Sequence, residues 1–370
     1  MKSANKNFIY ALSIITGTIV GVGFFSLPFI ASKVGFLVML VYFLILGILI
    51  ILTHLFFTEL SLKTPDFKRL PGFAKFYLGS WGEKVASISF TVGLFGTLLA
   101  YLIVGGEFLG NLLSPIFGGG AVVYTIVYFS LGAILIFLGM KTIAKVELYG
   151  LLAFFLIAVA IFIRSKSFIK IDNLFPSPDL NYLFLPYGPI LFSLWGADLI
   201  PEIEEMMGNR KDLLKKIIPL AILIAIIIYS FFIYLILGIS GTQTTESGLI
   251  GLKNFLPSGT MRLAFLIGVL ATFTSFLTLG LTLKKVFWYD LKIGKNLAWL
   301  VTCSVPLMLF FIGFKNFIPI ISFVGGIALG INAILILLMY RKINPKSFLV
   351  YPLLLIFLGG IIYEIMYFLR

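Results

Sequence analysis

The stretch GTIVGVGFFSLPF, residues 17–29, decides the fold, because it places helix-breaking residues inside the first long apolar run of the chain. Gly17, Gly21 and Gly23 precede Pro28. Glycine weakens a helix and proline removes a backbone donor, so the stretch predicts an interrupted helix. In lipid, each N–H or C=O group freed by the interruption costs several kcal/mol unless it finds a hydrogen-bond partner. The chain must therefore provide or bind such a partner.

The composition is that of a protein that crosses a membrane many times. Of the 370 residues, 60% are hydrophobic and only 12% are charged. Apolar runs of about 20 residues match a hydrocarbon core of about 30 Å, and they are too long and too uniformly apolar for barrel strands. We expect an all-α integral membrane protein with eleven spans. The predicted spans are residues 8–31, 35–61, 84–112, 121–139, 143–163, 183–207, 214–239, 260–287, 296–314, 317–340 and 350–369.

The positive charges predict how the chain is oriented. With the N-terminus in the cytoplasm, twenty of the 28 Lys and Arg residues fall on the cytoplasmic side of these spans. This bias predicts a multi-pass protein of the cell membrane with its N-terminus cytoplasmic and its C-terminus extracytoplasmic. The net charge of +13 then reflects topology and attraction to anionic lipid, and we expect no nucleic-acid partner. A monomer in the lipid bilayer is expected.

The rarity of cysteine and histidine excludes several function classes. Cys303 is the single cysteine and His54 the single histidine. An internal disulfide and a zinc or Cys/His catalytic cluster are therefore excluded, and no nucleophile–base pair is visible, so we expect no enzyme and no cofactor other than a coupling ion. His54, inside the second span, is interpreted as a packing residue rather than a proton relay.

A second interruption occurs in the sixth span, in FSLWGADLIPEIEEMMG, residues 192–208. Gly196, Asp198 and Pro201 lie where the apolar run gives way to an acidic, amphipathic half-helix. Discontinuous helices in transporters present half-helix N-termini to anions and free carbonyls to cations, which suits an amino acid. For the first break, the alternative is that small residues form a notch against which another helix packs closely. Gly17 and Gly21 fit this alternative, because they have the four-residue spacing of such small-residue motifs.

The two breaks are five spans apart, as an inverted repeat requires. We expect a single transporter domain over residues 1–370, with repeats at about 8–163 and 183–340 and an accessory span at 350–369. Between spans 2 and 3, the stretch LPGFAKFYLGSWGEK is predicted to form a helix at the cytoplasmic interface.

These segments resemble a known transporter family. GTIVGVGFFSLPF is similar to the unwound first-helix motif of the amino acid–polyamine–organocation superfamily, and in particular of its amino acid/auxin permease branch. Further similar segments are LAYLIVGGEFLGN (99–111), LPYGPILFSLWGADLIPEIEEMMGNRKDLLKK (185–216), TSFLTLGLTLKKVFWYDL (274–291) and ISFVGG (321–326). The resemblance implies a LeuT-type fold, a five-plus-five inverted repeat with one accessory helix, in which spans 1 and 6 are discontinuous.

The same resemblance implies a substrate site built from both breaks. The substrate carboxylate would meet amides around Val22 and Gly23, and the ammonium would meet carbonyls near Ile19 and the second break. Phe192 matches an aromatic lid that Trp195 would share, although ordinary aromatic packing is the alternative. The expected substrate-binding residues are Gly17, Thr18, Ile19, Gly21, Val22, Gly23, Phe192, Trp195, Gly196 and Asp198.

Asp198 has several interpretations, because carboxylates at membrane depth usually mark a pathway or a proton site. It would hold the ammonium, bind a cationic side chain or carry a proton. The alternative is an N-cap of the second half-helix, whose first backbone N–H groups lack partners inside the helix.

By resemblance, a sodium site lies between spans 1 and 8. Its five oxygens would be the carbonyls of Gly17, Val20 and Ala271 and the hydroxyls of Thr274 and Ser275, the last three sharing one helical face. The alternative is that both hydroxyls bond back to their own helix. Some proton-coupled relatives place a lysine from span 5 in this site, whereas this chain has Phe154 near that position.

The residues and the resemblance together predict a secondary active transporter that imports amino acids by alternating access, coupled to Na⁺ in preference to H⁺. The alternatives are an amino-acid-sensing membrane receptor and an uncoupled amino acid exchanger on the same fold. The predicted short tails at both ends disfavour the sensor.

Overall fold

Helices form every regular element of the residues that the computed structural model describes, namely 2–65, 68–139, 143–177 and 179–369. In chain order the α-helices are α1 (Lys2–Ile19), α2 (Leu27–Val34), α3 (Phe36–Lys63), α4 (Leu70–Leu78), α5 (Ser80–Phe117), α6 (Ala121–Leu138), α7 (Ile143–Ser165), α8 (Tyr187–Leu194), α9 (Ile200–Met207), α10 (Leu214–Ser240), α11 (Ser258–Lys285), α12 (Lys295–Ile312), α13 (Phe317–Ser322), α14 (Gly330–Ile343) and α15 (Val350–Phe368).

Many of these helices are long and apolar enough to cross a membrane. Among the described residues there are 8 such helices, or up to 9 if the bent pair Asn7–Ile19 and Gly23–Val34 counts as one span. The predicted set of eleven additionally counts α7 and the pair α8 and α9, and that number stays a prediction. The protein is an all-helical, multi-pass membrane protein.

The third predicted span is longer than the sequence indicated. The prediction covered residues 84–112, whereas α5 runs over Ser80–Phe117. The interfacial helix predicted before it is present as α4, and Gly79 separates the two helices with φ at 79°. Because a positive φ is unfavourable for residues with a Cβ, glycine is the residue that permits the sharp turn from α4 into α5.

The two interrupted spans lie inside the bundle. α5 and α11 pack against each other, and α1 packs against α7 and α10. α8 packs against a π-helical segment, Phe323–Leu329, that joins α13 to α14. This third irregular segment was not predicted from the sequence. Packing by neighbouring helices surrounds both breaks with protein, which is the condition under which irregular backbone is tolerated at membrane depth.

Candidate functional site

The first span is broken where the glycine-rich stretch predicts it. α1 ends at Ile19, a 3-10 turn follows at Gly23–Ser26, and the two halves of the span differ in direction by 43°. The first hydrogen bond of the new turn runs from the Phe25 N–H to the Val22 carbonyl at 3.2 Å. The N–H groups of Val22 and Gly23 precede that bond, so they are the first-turn donors that a helix start leaves unpaired.

The sixth span is broken at Trp195 and Gly196. α8 ends at Leu194, a 3-10 turn covers Ala197–Leu199, and α9 follows. Trp195 has an extended backbone with φ −75° and ψ 126°, so the helical hydrogen-bond pattern stops there. Both predicted interruptions are therefore present in the structure.

A tyrosine of the seventh span joins the two breaks. The Tyr229 hydroxyl on α10 lies 2.7 Å from the Ile19 carbonyl oxygen and 2.7 Å from the Ser193 carbonyl oxygen. A phenol has one hydrogen, so it donates to one of these carbonyls at a time. Carbonyl groups freed at both breaks thus share a partner that was not identified from the sequence.

A histidine of the second span binds the second break. The Gly196 N–H donates to the Nε2 atom of His54 at 2.9 Å, and the His54 side chain is fully buried. An Nε2 atom that accepts this bond carries no proton, so the imidazole is neutral with its proton on Nδ1. The His54 ring also meets the Trp195 ring edge to face, with centroids 5.0 Å apart. His54 packs as expected and additionally satisfies a freed donor.

A cavity lies between the two breaks. Its free space, measured at the centres of water-sized spheres, is about 40 Å³. Since one water needs about 10–15 Å³ on this measure, the cavity holds only a few waters. Nine of the ten predicted substrate residues line it, and Gly17 is the exception. The predicted residues in its wall are Thr18, Ile19, Gly21, Val22, Gly23, Phe192, Trp195, Gly196 and Asp198.

Further wall residues were not predicted from the sequence. α5 contributes Leu94, Thr97 and Tyr101, and the others are Ser193, Leu199, Leu279 and Leu329. A Cβ on Gly21 would lie 1.8 Å from the Tyr101 hydroxyl, so this tyrosine approaches the broken backbone directly. The wall is apolar over most of its surface and polar near the breaks.

Glycine at position 23 allows the two broken spans to touch. A Cβ there would lie 2.5 Å from the Ser193 Oγ atom and 2.7 Å from Phe192 Cδ1. Any larger residue would separate the spans or displace Phe192.

In the same wall, the hydroxyl of the buried Thr18 has no hydrogen-bond partner among the described residues. An unpaired hydroxyl at a cavity is a site where a polar ligand gains a hydrogen bond.

Asp198 does not cap the second half-helix. The residues that precede the 3-10 turn and α9 are Gly196 and Leu199, and neither cap carries a side-chain hydrogen bond. Instead, Asp198 Oδ1 accepts a hydrogen bond from the Trp195 indole Nε1 at 3.2 Å. The capping alternative is therefore wrong for this structure, and the carboxylate lies in the cavity wall.

The structure brings together part of the predicted sodium site. α11 packs against α1, and the Ser275 hydroxyl donates to the Gly17 carbonyl at 3.3 Å. The Thr274 hydroxyl is 3.5 Å from the carbonyl of Ala271 in its own helix. Thr274 therefore bonds back to its own helix, as the alternative interpretation expects, whereas Ser275 bonds to the first span.

The model of the tryptophan/tyrosine permease family matches residues 4–365. The chain belongs to this family. It is 27% identical over 207 residues to the tyrosine-specific transport system 1 of Haemophilus influenzae, a match that covers 54% of this chain and 50% of the relative. It is 25% identical over 244 residues to the low affinity tryptophan permease of Escherichia coli O157:H7, covering 62% and 57%. The matched regions thus span about half the length of these relatives.

Solved structures show the fold of this family member. Mhp1, a nucleobase-cation-symport-1 family transporter in a closed conformation with bromovinylhydantoin bound, aligns with a TM-score of 0.68 at 12% identity, covering 89% of this chain and 77% of Mhp1. MhsT in complex with L-phenylalanine aligns with a TM-score of 0.64 at 14% identity, covering 96% and 98%. The predicted LeuT-type fold is confirmed.

Proposed function

We propose that this chain is a secondary active transporter that imports aromatic amino acids by alternating access. The observation that carries the proposal is that two discontinuous spans meet at a cavity lined by nearly all of the predicted substrate residues. The names of the two relatives, a tyrosine transport system and a tryptophan permease, favour an aromatic substrate. The proposal includes the predicted orientation, the inverted repeats, the monomeric state and the narrower amino acid/auxin permease assignment, which the quoted motifs support.

In this proposal the backbone binds the charged end of the substrate. The N–H groups of Val22 and Gly23 bind the carboxylate, and the ammonium meets the Ile19 carbonyl and the Asp198 carboxylate. The Ile19 carbonyl oxygen accepts from the Gly21 N–H at 2.7 Å and has one lone pair left, so it accepts from the ammonium when Tyr229 donates to the Ser193 carbonyl instead. The aromatic side chain lies against Phe192 and the leucines of the wall.

The cavity must widen to admit such a substrate. Ligand pockets usually have volumes of about 300–1,000 Å³, far above the free space between the breaks. We therefore assign the structure to a closed state, in which Phe192 and Trp195 fill part of the substrate site. Movement of Phe192 away from Gly23 would open the space and would give Phe192 the role of the lid.

The experiment that tests the proposal is uptake into proteoliposomes of a labelled amino acid panel under separate Na⁺ and H⁺ gradients. We expect uptake of tyrosine, tryptophan or phenylalanine to exceed that of lysine, glutamate and glycine, and one gradient to drive accumulation. Equal uptake across the panel, or none, contradicts the proposal. Exchange with preloaded substrate without accumulation under either gradient identifies an uncoupled exchanger.

Sodium coupling at the proposed site predicts which substitutions abolish the stimulation of transport by Na⁺. The double substitution Thr274→Ala with Ser275→Ala removes two of the five proposed ligands, so we expect it to abolish stimulation by Na⁺. The matched control is Thr272→Ala, because Thr272 is a buried residue of the same helix whose hydroxyl donates to the Gly268 carbonyl at 2.8 Å. Retained Na⁺ stimulation in the double variant would reject this site, whereas a wild-type protein that Na⁺ does not stimulate would favour a proton on Asp198.

A further inference from the structure

The accessory helix carries a carboxyl group that the proposed transport site does not use. Glu364 on α15 is 1% exposed. Its Oε2 atom has no hydrogen-bond partner among the described residues. Ionisable side chains buried in membrane helices are rare, and by default they indicate a functional site. Because α15 lies outside the predicted repeats, a buried carboxyl group there requires its own explanation.

The neighbours of Glu364 come from two further helices. At the start of α8, the backbone of Gly188 faces the Glu364 carboxyl group. The hydroxyl of Tyr187 in the same turn, and that of Ser322 at the end of α13, are also buried without a partner among the described residues. Three unpaired polar groups on α8, α13 and α15 therefore occur in one region.

Close packing of glycines shows how tightly these helices meet. A Cβ on Gly188 would lie 2.4 Å from Glu364 Oε1 and 2.8 Å from the Ser322 carbonyl oxygen. A Cβ on Gly326 would lie 2.2 Å from Glu364 Cγ. On α15 itself, a Cβ on Gly360 would lie 1.9 Å from the Tyr187 ring. The helices pack so closely around the carboxyl group that they leave little space for a hydrated cation. The site therefore favours a proton over a hydrated cation.

The charges around the site leave an ionised Glu364 uncompensated. The titratable groups that interact with it are Tyr187 of α8 and Tyr367 of its own helix, and Glu246 approaches Tyr367. α13 and the segment Phe323–Leu329 carry no titratable residue.

The remaining neighbour, α14, places its positive charges elsewhere. It carries Arg341 and Lys342 in its last turn, and the Arg341 guanidinium lies 4.8 Å from the Tyr351 ring, near the start of α15 rather than near Glu364. A buried carboxylate without a paired cation is strongly unfavourable, whereas a protonated one donates a hydrogen bond.

We propose that Glu364 is a proton-binding site that controls the position of α8. With its proton bound, the neutral carboxyl group stays buried, and α8 stays packed against α15. When the O–H bond breaks, the proton passes to water on the predicted extracytoplasmic side. The carboxylate then draws water into the interface, and α8 is released. The proposal rests on the proposed function, because α8 carries Phe192 and Ser193 of the substrate cavity.

The test is equilibrium exchange of a labelled aromatic amino acid in proteoliposomes with the same pH on both sides, so that no proton gradient drives flux. The wild-type exchange rate is expected to rise about tenfold per pH unit until the carboxyl group is fully ionised, because the ionised fraction, in which α8 can move Phe192 away from Gly23, rises in that proportion. Glu364→Gln, which is permanently neutral, is expected to keep the acidic-pH rate throughout. The control Asp172→Asn removes an exposed carboxylate between α7 and α8 and should keep the wild-type profile.

An infrared titration tests the site without relying on transport. The wild-type protein should show the C=O stretching band of a protonated carboxylic acid that disappears with rising pH, and Glu364→Gln should lack this band. If Glu364→Gln does not fold, Glu364→Asp keeps the carboxyl group and should shift the midpoint. An unshifted midpoint, a wild-type pH profile in Glu364→Gln, or the absence of the band overturns the proposal. A wild-type protein that has the band but transports no amino acid rejects the proposed function alone.

Discussion

Two single side chains, Tyr229 and His54, bind main-chain groups that the breaks leave unpaired. Neither was predicted to do so, because the pairs are distant in sequence: Tyr229 is 210 positions from Ile19, and His54 is 142 positions from Gly196. Helical periodicity reports which face of a span is apolar, and it carries no information about which remote donor a freed carbonyl will meet. The backbone groups at the breaks could be predicted from the sequence, whereas their protein partners required the fold.

Removal of the Tyr229 hydroxyl should weaken substrate binding. Tyr229→Phe leaves the buried Ser193 carbonyl without this donor, which costs about 1–3 kcal/mol. If that free energy holds the two half-helices in register, the apparent substrate Kd rises roughly tenfold. The measurement is equilibrium binding of the labelled amino acid in detergent. Tyr234→Phe, five positions further along α10, is the matched control, and equal affinities in the two variants would count against the bridging role.

The hydrogen bond from Gly196 predicts a difference between two His54 substitutions. His54→Leu removes the acceptor and leaves a buried N–H unpaired, so we expect a lower unfolding temperature and a substrate affinity about tenfold weaker. His54→Gln offers a carbonyl oxygen as an acceptor and should restore most of both. Thermal unfolding and ligand binding, measured side by side, check this. If both variants behave alike, the contact has only a packing role.

At the scale of elements, the breaks in spans 1 and 6 were predictable from the sequence, whereas the π-helical segment between α13 and α14 was not. Glycine and proline occur at both breaks, and a sudden change to acidic residues marks the second; glycine and proline have a direct effect on helix stability. The π-helical segment Phe323–Leu329 has glycines at Gly325 and Gly326, which are common in membrane helices and gave no distinct signal. Gly325 is needed because a Cβ there would lie 1.9 Å from the Gly188 carbonyl oxygen.

An ion-pair cluster connects three elements at the predicted cytoplasmic end. Arg69, just before α4, pairs through Nε with Glu202 of α9 at 3.1 Å and through Nη1 with Asp290 after α11 at 3.7 Å. On the other side of α9, Glu204 accepts from Lys211 at 2.8 Å and from the Ser61 hydroxyl of α3. These partly buried contacts hold α9 against its neighbours, and we expect them to close the cavity on this side.

Loss of the Arg69 pair should therefore open the cytoplasmic side. In a Cys303→Ser background, a reporter cysteine at the cavity position Leu199 is labelled from the cytoplasmic face with an impermeant thiol reagent. Glu202→Gln should raise the labelling rate about fivefold, which corresponds to about 1 kcal/mol for a partly exposed pair. The control is Glu83→Gln, which breaks an exposed pair with Lys75 at 3.0 Å. Equal labelling rates would show that the Arg69 pair does not close the cavity.

At the scale of the whole molecule, the fold followed from the sequence more readily than the substrate did. Uniform apolar runs exclude all but a helical bundle, and two breaks five spans apart favour the LeuT-type arrangement that the solved structures show. The cavity wall is different, because its leucines and aromatic residues come from four separate spans. Such residues are common throughout this chain, with 39 phenylalanines, so their grouping around one cavity becomes visible only in three dimensions.

The central claim is that freed backbone groups at the two breaks bind both charges of an amino acid. Competition binding with analogues of the preferred aromatic amino acid tests this most directly. One analogue lacks the carboxylate, another lacks the ammonium, and both keep the aromatic side chain. Hydrogen bonds to charged groups contribute about 1.5–3 kcal/mol, so each analogue should bind about 10- to 100-fold more weakly than the amino acid. An analogue that lacks either charge and competes as well as the amino acid would contradict the account.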